Sequence, residues 1–408
     1  MERTDATTEA IPNRLAGLEA DLIDRARALA PILSARAADA EKQRRVSAQT
    51  HRDFVDAGFY RALQPARYGG FELDYGIQTL FARELGRGCA SSAWVASILA
   101  CHGWIAGMFP DEAQAEIWGD DPDAVVSTSF LPVGATLERD GDMLRLSGRW
   151  RFSSGVDHCR WAILQVMAPP DPADGEKGRP DPLFAMVDLR DCRVEDAWNS
   201  AGLAASGSND IVVADVEIAP HRRMRVMDMR GEETPGSRAN GGYLYRLPLF
   251  AVFPFNIVGA ALGAAHGALE ALVGEMAERR SVTGADLTRV ATVHQRIGRA
   301  AALLEAADAV IDRLRADIVA KGRAGQAFEM SDRARYRLNL GHVARSCCEA
   351  VDELLPLTGG RGLETGHPMQ RAWRDAHAVA QHIGLVWDLQ TGLYGNVLMG
   401  HGSPDPKL

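Results

Sequence analysis

An α+β fold, mainly helical, is predicted for this 408-residue chain by three changes in its hydrophobic rhythm. Apolar residues recur three and four apart from Leu15 to about Trp118, every second residue from Ala124 to about Met229, and again at helical spacing from Phe255 to Gly400. These segments place an N-terminal helical domain at 1–123, a middle antiparallel β-barrel or sandwich domain at 124–235, and a C-terminal four-helix bundle at 236–408.

In the first segment, Leu18, Leu22, Ala26 and Leu29 share one helix face, as do Phe81 and Leu85. Breaks are expected at Asp56-Ala57-Gly58, Arg67-Tyr68-Gly69-Gly70 and Phe109-Pro110-Asp111. The middle segment alternates in runs such as Met143 to Ser147, Trp161 to Val166 and Ile211 to Ile218, with a hairpin turn expected at Asp140-Gly141-Asp142. Pro169 to Pro182, dense in Pro, Asp and Gly, is expected to be an exposed excursion between strands. The bundle helices are predicted over Ile257–Glu278, Val290–Lys321, Asp332–Leu355 and Arg371–Tyr394. Gly259 and Gly263 suit close helix packing within that bundle.

A formal charge of −9 excludes the basic footprint that nucleic acid or an anionic membrane requires. The six cysteines form no CxxC pair, so disulfides and a metal site are both unexpected. The apolar stretch from Phe250 to Ala265 is interrupted by Pro254 and Asn256, which argues against a membrane span. Residues 1–13 have no apolar signal segment, and a cytoplasmic location is expected. Gly86-Arg-Gly88 and Gly359-Gly-Arg-Gly362 are not dinucleotide fingerprints, since neither joins a strand to a helix, so no nicotinamide site is expected.

Three local motifs lie in this frame: Leu63-Gln-Pro-Ala-Arg-Tyr-Gly-Gly70, Ser147-Gly-Arg-Trp-Arg-Phe-Ser-Ser-Gly155, and Gly359-Gly360 followed by Pro368, Arg371, Arg374 and Asp375. Together with the helix, β, helix order they resemble the acyl-CoA dehydrogenase superfamily over nearly the whole chain. Trp198 to Asp210 and His382-Ile-Gly-Leu-Val-Trp-Asp388 are similar to its flavin-dependent hydroxylase branch, the oxygenase components of two-component (group D) monooxygenases such as p-hydroxyphenylacetate and secosteroid-phenol hydroxylases. A dehydrogenase needs a carboxylate to remove the α-proton of an acyl thioester. Aligning Arg374-Asp375-Ala376 with the dehydrogenase motif puts Ile383 at that position, and no carboxylate occurs in Phe253 to Val258, where the alternative base would lie.

The resemblance implies an enzyme that takes reduced FMN or FAD from a separate NAD(P)H:flavin reductase. It then uses O2, through a C4a-hydroperoxyflavin, to hydroxylate an aromatic or heteroaromatic substrate. It further implies a homotetramer, with Leu385, Val386, Leu389, Leu393 and Leu398 available for contacts. An FAD-dependent acyl-CoA dehydrogenase with a displaced base is the alternative, and a scaffold that has lost its flavin is a third reading.

The implied catalytic residues are Ser154 (with Ser153 if the register shifts by one), His382 and His102. Ser154 protects the activated oxygen through flavin N5, His382 deprotonates a phenol, with Asp388 helping to orient the site, and His102 lies on the substrate side. Cofactor contacts are implied for Trp150, Ser127, Ser129, Ser153, Ser154, Ser206 and Ser208, with Gly207 letting the loop pass close to a ring. Arg279 or Arg280 is implied for a phosphate. Trp94, His102, Phe250, Phe253 and Phe255 are candidate pocket-lining residues. Each has an ordinary structural alternative: strand-end serines, a histidine bonded to a carbonyl, solvated helix-end arginines, or plain core.

Overall fold

The computed structural model describes residues 6–140, 143–169, 181–276, 280, 284 and 286–408, with side chains from Leu15 onward. Among the described residues five α-helices come first: α1 (Ala6–Gln43), α2 (Ala48–Ala57), α3 (Ile77–Gly86), α4 (Ala90–Ala106) and α5 (Asp111–Trp118). Each expected break has a local cause. Ser47 caps α2 by accepting the Thr50 N–H at 3.2 Å, and Gly58 ends it in the left-handed conformation (φ 80°).

Among the described residues eight strands follow: β1 (Val126–Ser129), β2 (Leu131–Asp140), β3 (Met143–Ser153), β4 (Trp161–Ala168), β5 (Asp181–Asp188), β6 (Cys192–Glu195), β7 (Asn209–Ile218) and β8 (Arg223–Arg225). They form two four-stranded sheets, ordered β1-β4-β5-β8 and β2-β3-β7-β6. The expectation of a purely antiparallel domain is corrected at one edge, because β1 enters from the helical segment and pairs parallel with β4. The hairpin residues Gly141 and Asp142 lie outside the described residues, although Asp140 pairs directly with Met143. Residues 170–180 of the expected excursion are likewise outside them, and Pro182 is already in β5, opposite Met167.

The last segment contains α6 (Pro235–Asn240), α7 (Leu249–Val252), α8 (Phe255–Met276), α9 (Ala291–Arg323), α10 (Met330–Leu354), α11 (Pro368–Ala380) and α12 (Trp387–Leu398). The stretch from Leu249 to Met276 is long and apolar enough to cross a membrane, yet most of it is buried at the centre of the bundle. It crosses α3 closely because Gly259 and Gly263 carry no side chain there. A Cβ on Gly263 would lie 2.4 Å from Arg83 O. One apolar core joins the first and last helical segments, while the sheets enclose a second core of their own. The site described next lies where α4, the end of β3 and the turn after α11 meet.

Candidate active site

Side chains of β3 alternate until Arg151, where the pattern breaks. Phe152 adopts a left-handed backbone (φ 63°), a strained choice for a residue with a side chain. Pairing with β7 shifts between Trp150 and Ser153, as at a bulge. The Phe152 ring is thereby left 48% exposed, edge-on to Trp198 at 6.0 Å, while Ser153 and Ser154 are buried.

Ser154 Oγ accepts the indole N–H of Trp94 at 3.0 Å and lies 2.8 Å from Ser208 Oγ, which is 2.7 Å from Ser206 Oγ. A hydroxyl has one proton and two lone pairs. If Ser206 donates to Ser208 and Ser208 to Ser154, both Ser154 lone pairs are used and its own proton is left for a further acceptor. Each bond in such a row strengthens the next.

Trp94 also reaches the histidine. Its ring lies 6.0 Å from that of His382, which stacks on Phe253 at 5.9 Å and 30°. His382 is not helical, as the expected continuous helix over 371–394 requires, but sits in the turn between α11 and α12. The turn forms because Gly384 packs against Pro254, where a Cβ would lie 2.9 Å from Pro254 Cγ. His382 Nδ1 accepts the Gly384 N–H at 3.1 Å, so the proton of the neutral ring belongs on Nε2. Burial, reinforced by the positive charge of Arg337, lowers its pKa to about 4. With Nδ1 accepting, the neutral ring presents its Nε2–H as a donor. Ile383, beside it, is 71% exposed, and Asp388 lies exposed in the first turn of α12.

His102 has both ring nitrogens engaged with β1: Nδ1 lies 3.0 Å from Val126 O, and Nε2 is 2.8 Å from Thr128 Oγ1. It therefore donates to the carbonyl and accepts from the threonine, and burial lowers its pKa to about 3. The folded protein resists protonating His102 until about pH 3, whereas the unfolded chain takes up that proton near pH 6.5. Stability consequently falls as pH falls through this window, by up to about 1.4 kcal/mol per pH unit for this one group. In urea unfolding, His102→Gln is expected to lose stability less steeply than wild type below pH 6.5. Equal slopes would contradict this assignment.

The other expected site residues divide. Ser127 Oγ pairs with Ser153 Oγ, Ser153 Oγ donates to Thr128 O at 3.3 Å, and Ser129 Oγ donates to Arg151 O at 2.5 Å. These three stitch β1 to the end of β3 beside the Ser154 row. Trp150 is wholly buried between the sheets, with its indole N–H on Gln165 O at 2.7 Å. Arg279 lies outside the described residues, and Arg280 pairs with Asp286 at 3.4 Å. Phe250 and Phe253 join Phe130 and Phe184 in an aromatic cluster, whereas Phe255 faces Tyr75 in the helical core.

Three features escaped residue-by-residue reading. The exposed Phe152 looked like one more strand residue. The loop bearing Ser206 and Ser208 is clamped by Asp375, which accepts the N–H of left-handed Leu203 at 2.6 Å, while Trp198 Nε1 donates to Leu203 O at 2.9 Å. Arg371 and Arg374 on the same helix grip Glu41 of α1, each at 2.9 Å. Arg371, Arg374 and Asp375 stood out as a motif without revealing this task. The third feature is Arg337, buried on α10.

Two family models match the chain: "Acyl-CoA dehydrogenase, N-terminal domain" over residues 19–119 and "Acyl-CoA dehydrogenase, C-terminal domain" over residues 255–387. The chain is 34% identical over 390 residues to the FADH(2)-dependent resorcinol hydroxylase, oxygenase component, of Rhizobium sp. (strain MTP-10005), covering 93% of this chain and 94% of that protein. The crystal structure of 3-HSA hydroxylase from Rhodococcus sp. RHA1 superimposes with a TM-score of 0.89 at 30% identity, covering 95% of this chain and 99% of that one. XiaF from Streptomyces sp., solved in complex with FADH2 and glycerol, also gives 0.89, at 27% identity and with 98% and 100% coverage.

Proposed function

Because the chain belongs to the oxygenase components of two-component flavin-dependent monooxygenases, built on the acyl-CoA dehydrogenase fold, we propose that it hydroxylates a phenolic ring held between Ser154, His382 and the Phe130, Phe250, Phe253 cluster. The enzyme uses reduced flavin supplied by a separate reductase, together with O2. The observation that carries the phenol reading is Trp94, whose N–H binds Ser154 while its ring lies beside His382, so one indole spaces the two polar groups.

The residues suit a flavin ring. The Ser206, Ser208, Ser154 row has a proton to spare, and the neighbouring Phe152 presents an exposed aromatic face. When bound, reduced flavin activates O2 and supplies both electrons, so that one oxygen atom enters the ring and the other leaves as water. Ser154 would hold a proton toward a bound flavin. His382 offers its Nε2–H to the phenol oxygen, where electron density builds as the ring reacts. The aromatic cluster would exclude water from the space beside His382.

A dehydrogenase reading is not favoured, since Asp375 is committed to the Leu203 N–H and Asp388 is exposed. The test is a panel of phenols, indoles and thiophenes with an unrelated flavin reductase and NADH. Hydroxylated phenols that appear only when reductase and oxygen are both present support the proposal; hydrogen peroxide alone, with every compound, defeats it.

The oligomer we propose is a homotetramer. Leu385 and Leu393 are buried within the bundle, but Leu389, Leu398 and Met399 are exposed apolar residues at its end, next to Ile383. Analytical ultracentrifugation is expected to give a tetramer, and a fully active monomer would contradict it.

A further inference from the structure

The serine row hangs on Leu203. This residue is buried and left-handed (φ 51°), a conformation strained for any residue with a side chain, so its surroundings must hold it. Its carbonyl accepts two N–H groups, the Trp198 indole at 2.9 Å and the Ser206 backbone at 3.0 Å. The Ser206 carbonyl in turn accepts the Gly155 N–H at 3.0 Å, and Gly155 directly follows Ser154. Gly155 is also left-handed (φ 67°), and a Cβ there would lie 2.9 Å from Val95 Cγ1, next to Trp94 on α4. The backbone from Leu203 to Ser206 thus sets where both ends of the Ser206, Ser208, Ser154 row stand.

The hold on Leu203 comes from α11. Arg374 Nη1 donates to Ala201 O, a Cβ on Gly202 would lie 2.2 Å from Arg374 O, and Asp375 accepts the Leu203 N–H at 2.6 Å. Three successive loop residues therefore dock on one turn of the helix. Asp375 is 1% exposed, and burying a carboxylate is costly unless its oxygens are bonded. The charged and titratable groups around it are Arg371 and Arg374 on its own helix, Glu41 on α1, Cys89 at the start of α4 and Arg87 at the end of α3. Arg371 and Arg374 both bond to Glu41, and Asp375 bonds to the loop backbone.

We propose that Asp375 is a positioning residue for the oxygen chemistry: by pinning Leu203 it fixes the Ser206 hydroxyl as the donor at the head of the row, so that Ser208 donates to Ser154 and the Ser154 proton is left for the flavin. This rests on the flavin monooxygenase reading above and names the group that orients its serines. When the hold is lost, reduced flavin passes two electrons and two protons to O2, leaving oxidised flavin and hydrogen peroxide, and no oxygen reaches an acceptor.

The test uses the full chain. In the flavin-free protein, hydrogen exchange over residues 199–209 is expected to quicken about tenfold or more in Asp375→Ala while α8 and α10 exchange as in wild type, the mark of local opening. With reduced FAD and O2 but no acceptor, the same variant is expected to release hydrogen peroxide about tenfold faster, the scale of one misplaced donor, while anaerobic binding of reduced FAD is retained. Asp375→Asn, whose amide oxygen still accepts the Leu203 N–H, is expected to restore both readouts. Because Asp375 acts through Ser154, adding Asp375→Ala to Ser154→Ala is expected to speed peroxide release no further. Should Asp375→Ala fail to fold, Trp198→Phe, which removes the indole N–H from Leu203 O, is read in its place.

Unchanged exchange over 199–209, or unchanged peroxide release, overturns the proposal. So do additive effects in the double variant, failure of Asp375→Asn to restore the readouts, and exchange that quickens equally throughout the bundle. The hydroxylase reading fails separately: if wild type hydroxylates no phenol while the Asp375-dependent exchange and peroxide differences persist, the positioning role stands and the phenol reading falls.

Discussion

Ser154→Ala is expected to turn the enzyme from a hydroxylase into a source of hydrogen peroxide. Reduced flavin and O2 would still be consumed, while hydroxylated product per flavin would fall roughly tenfold or more, in line with losing one well-placed donor in a dry site. Ser154 is singled out because it accepts the Trp94 N–H and, when Ser208 donates to it, keeps its own proton for a further acceptor. Alanine removes that proton and leaves the Trp94 N–H without its acceptor. Ser153→Ala serves as the comparison, since Ser153 bonds to Ser127 and to Thr128 O within the β1–β3 seam. The check is simultaneous measurement of peroxide and product; unchanged coupling in Ser154→Ala would remove the serine from the site.

His382→Ala is expected to lower kcat for hydroxylation by about 100-fold, again the scale of one lost donor to a developing charge. Its pH behaviour separates donor from base. With its pKa lowered to about 4, His382 is already neutral near pH 6 and does not change charge through the neutral range. Any limb of the kcat/KM profile in that range therefore belongs to another group, and the residual activity of His382→Ala keeps it. A wild-type limb near pH 6.5 that vanishes in the variant would restore the general-base role.

The coarse fold was legible because its signals are periodic and long: helices such as α8, α9 and α10 end within a few residues of where their apolar spacing ends. The break between α11 and α12 was not, because Leu385, Trp387 and Leu393 continue a helical rhythm while Gly384 must fold the chain against Pro254, some 130 residues earlier in the sequence. That contact is tertiary, and only the glycine hinted at it. The parallel β1–β4 pair was hidden for a similar reason, since strand order does not show in alternation.

At the site, Ser154, Ser206, Ser208 and His382 were found through motif resemblance, and the structure brings them to the two sides of Trp94. The face of β3 that Trp150 occupies, inside the core between the sheets, was not legible from its place in the motif. Arg337 carried no signal at all: one arginine among many on helices becomes informative only once its burial is visible.

This chain is expected to insert one atom of O2 into a phenolic ring at the expense of reduced flavin. Mass spectrometry of the product formed from resorcinol, chemically reduced FAD and isotopically heavy O2 in ordinary water tests it most directly. A catechol-type product carrying one heavy oxygen, with no reductase on the chain itself, is the predicted result. Product oxygen drawn from water, or unreacted resorcinol with all reducing equivalents recovered as heavy hydrogen peroxide across the phenol panel, would contradict it.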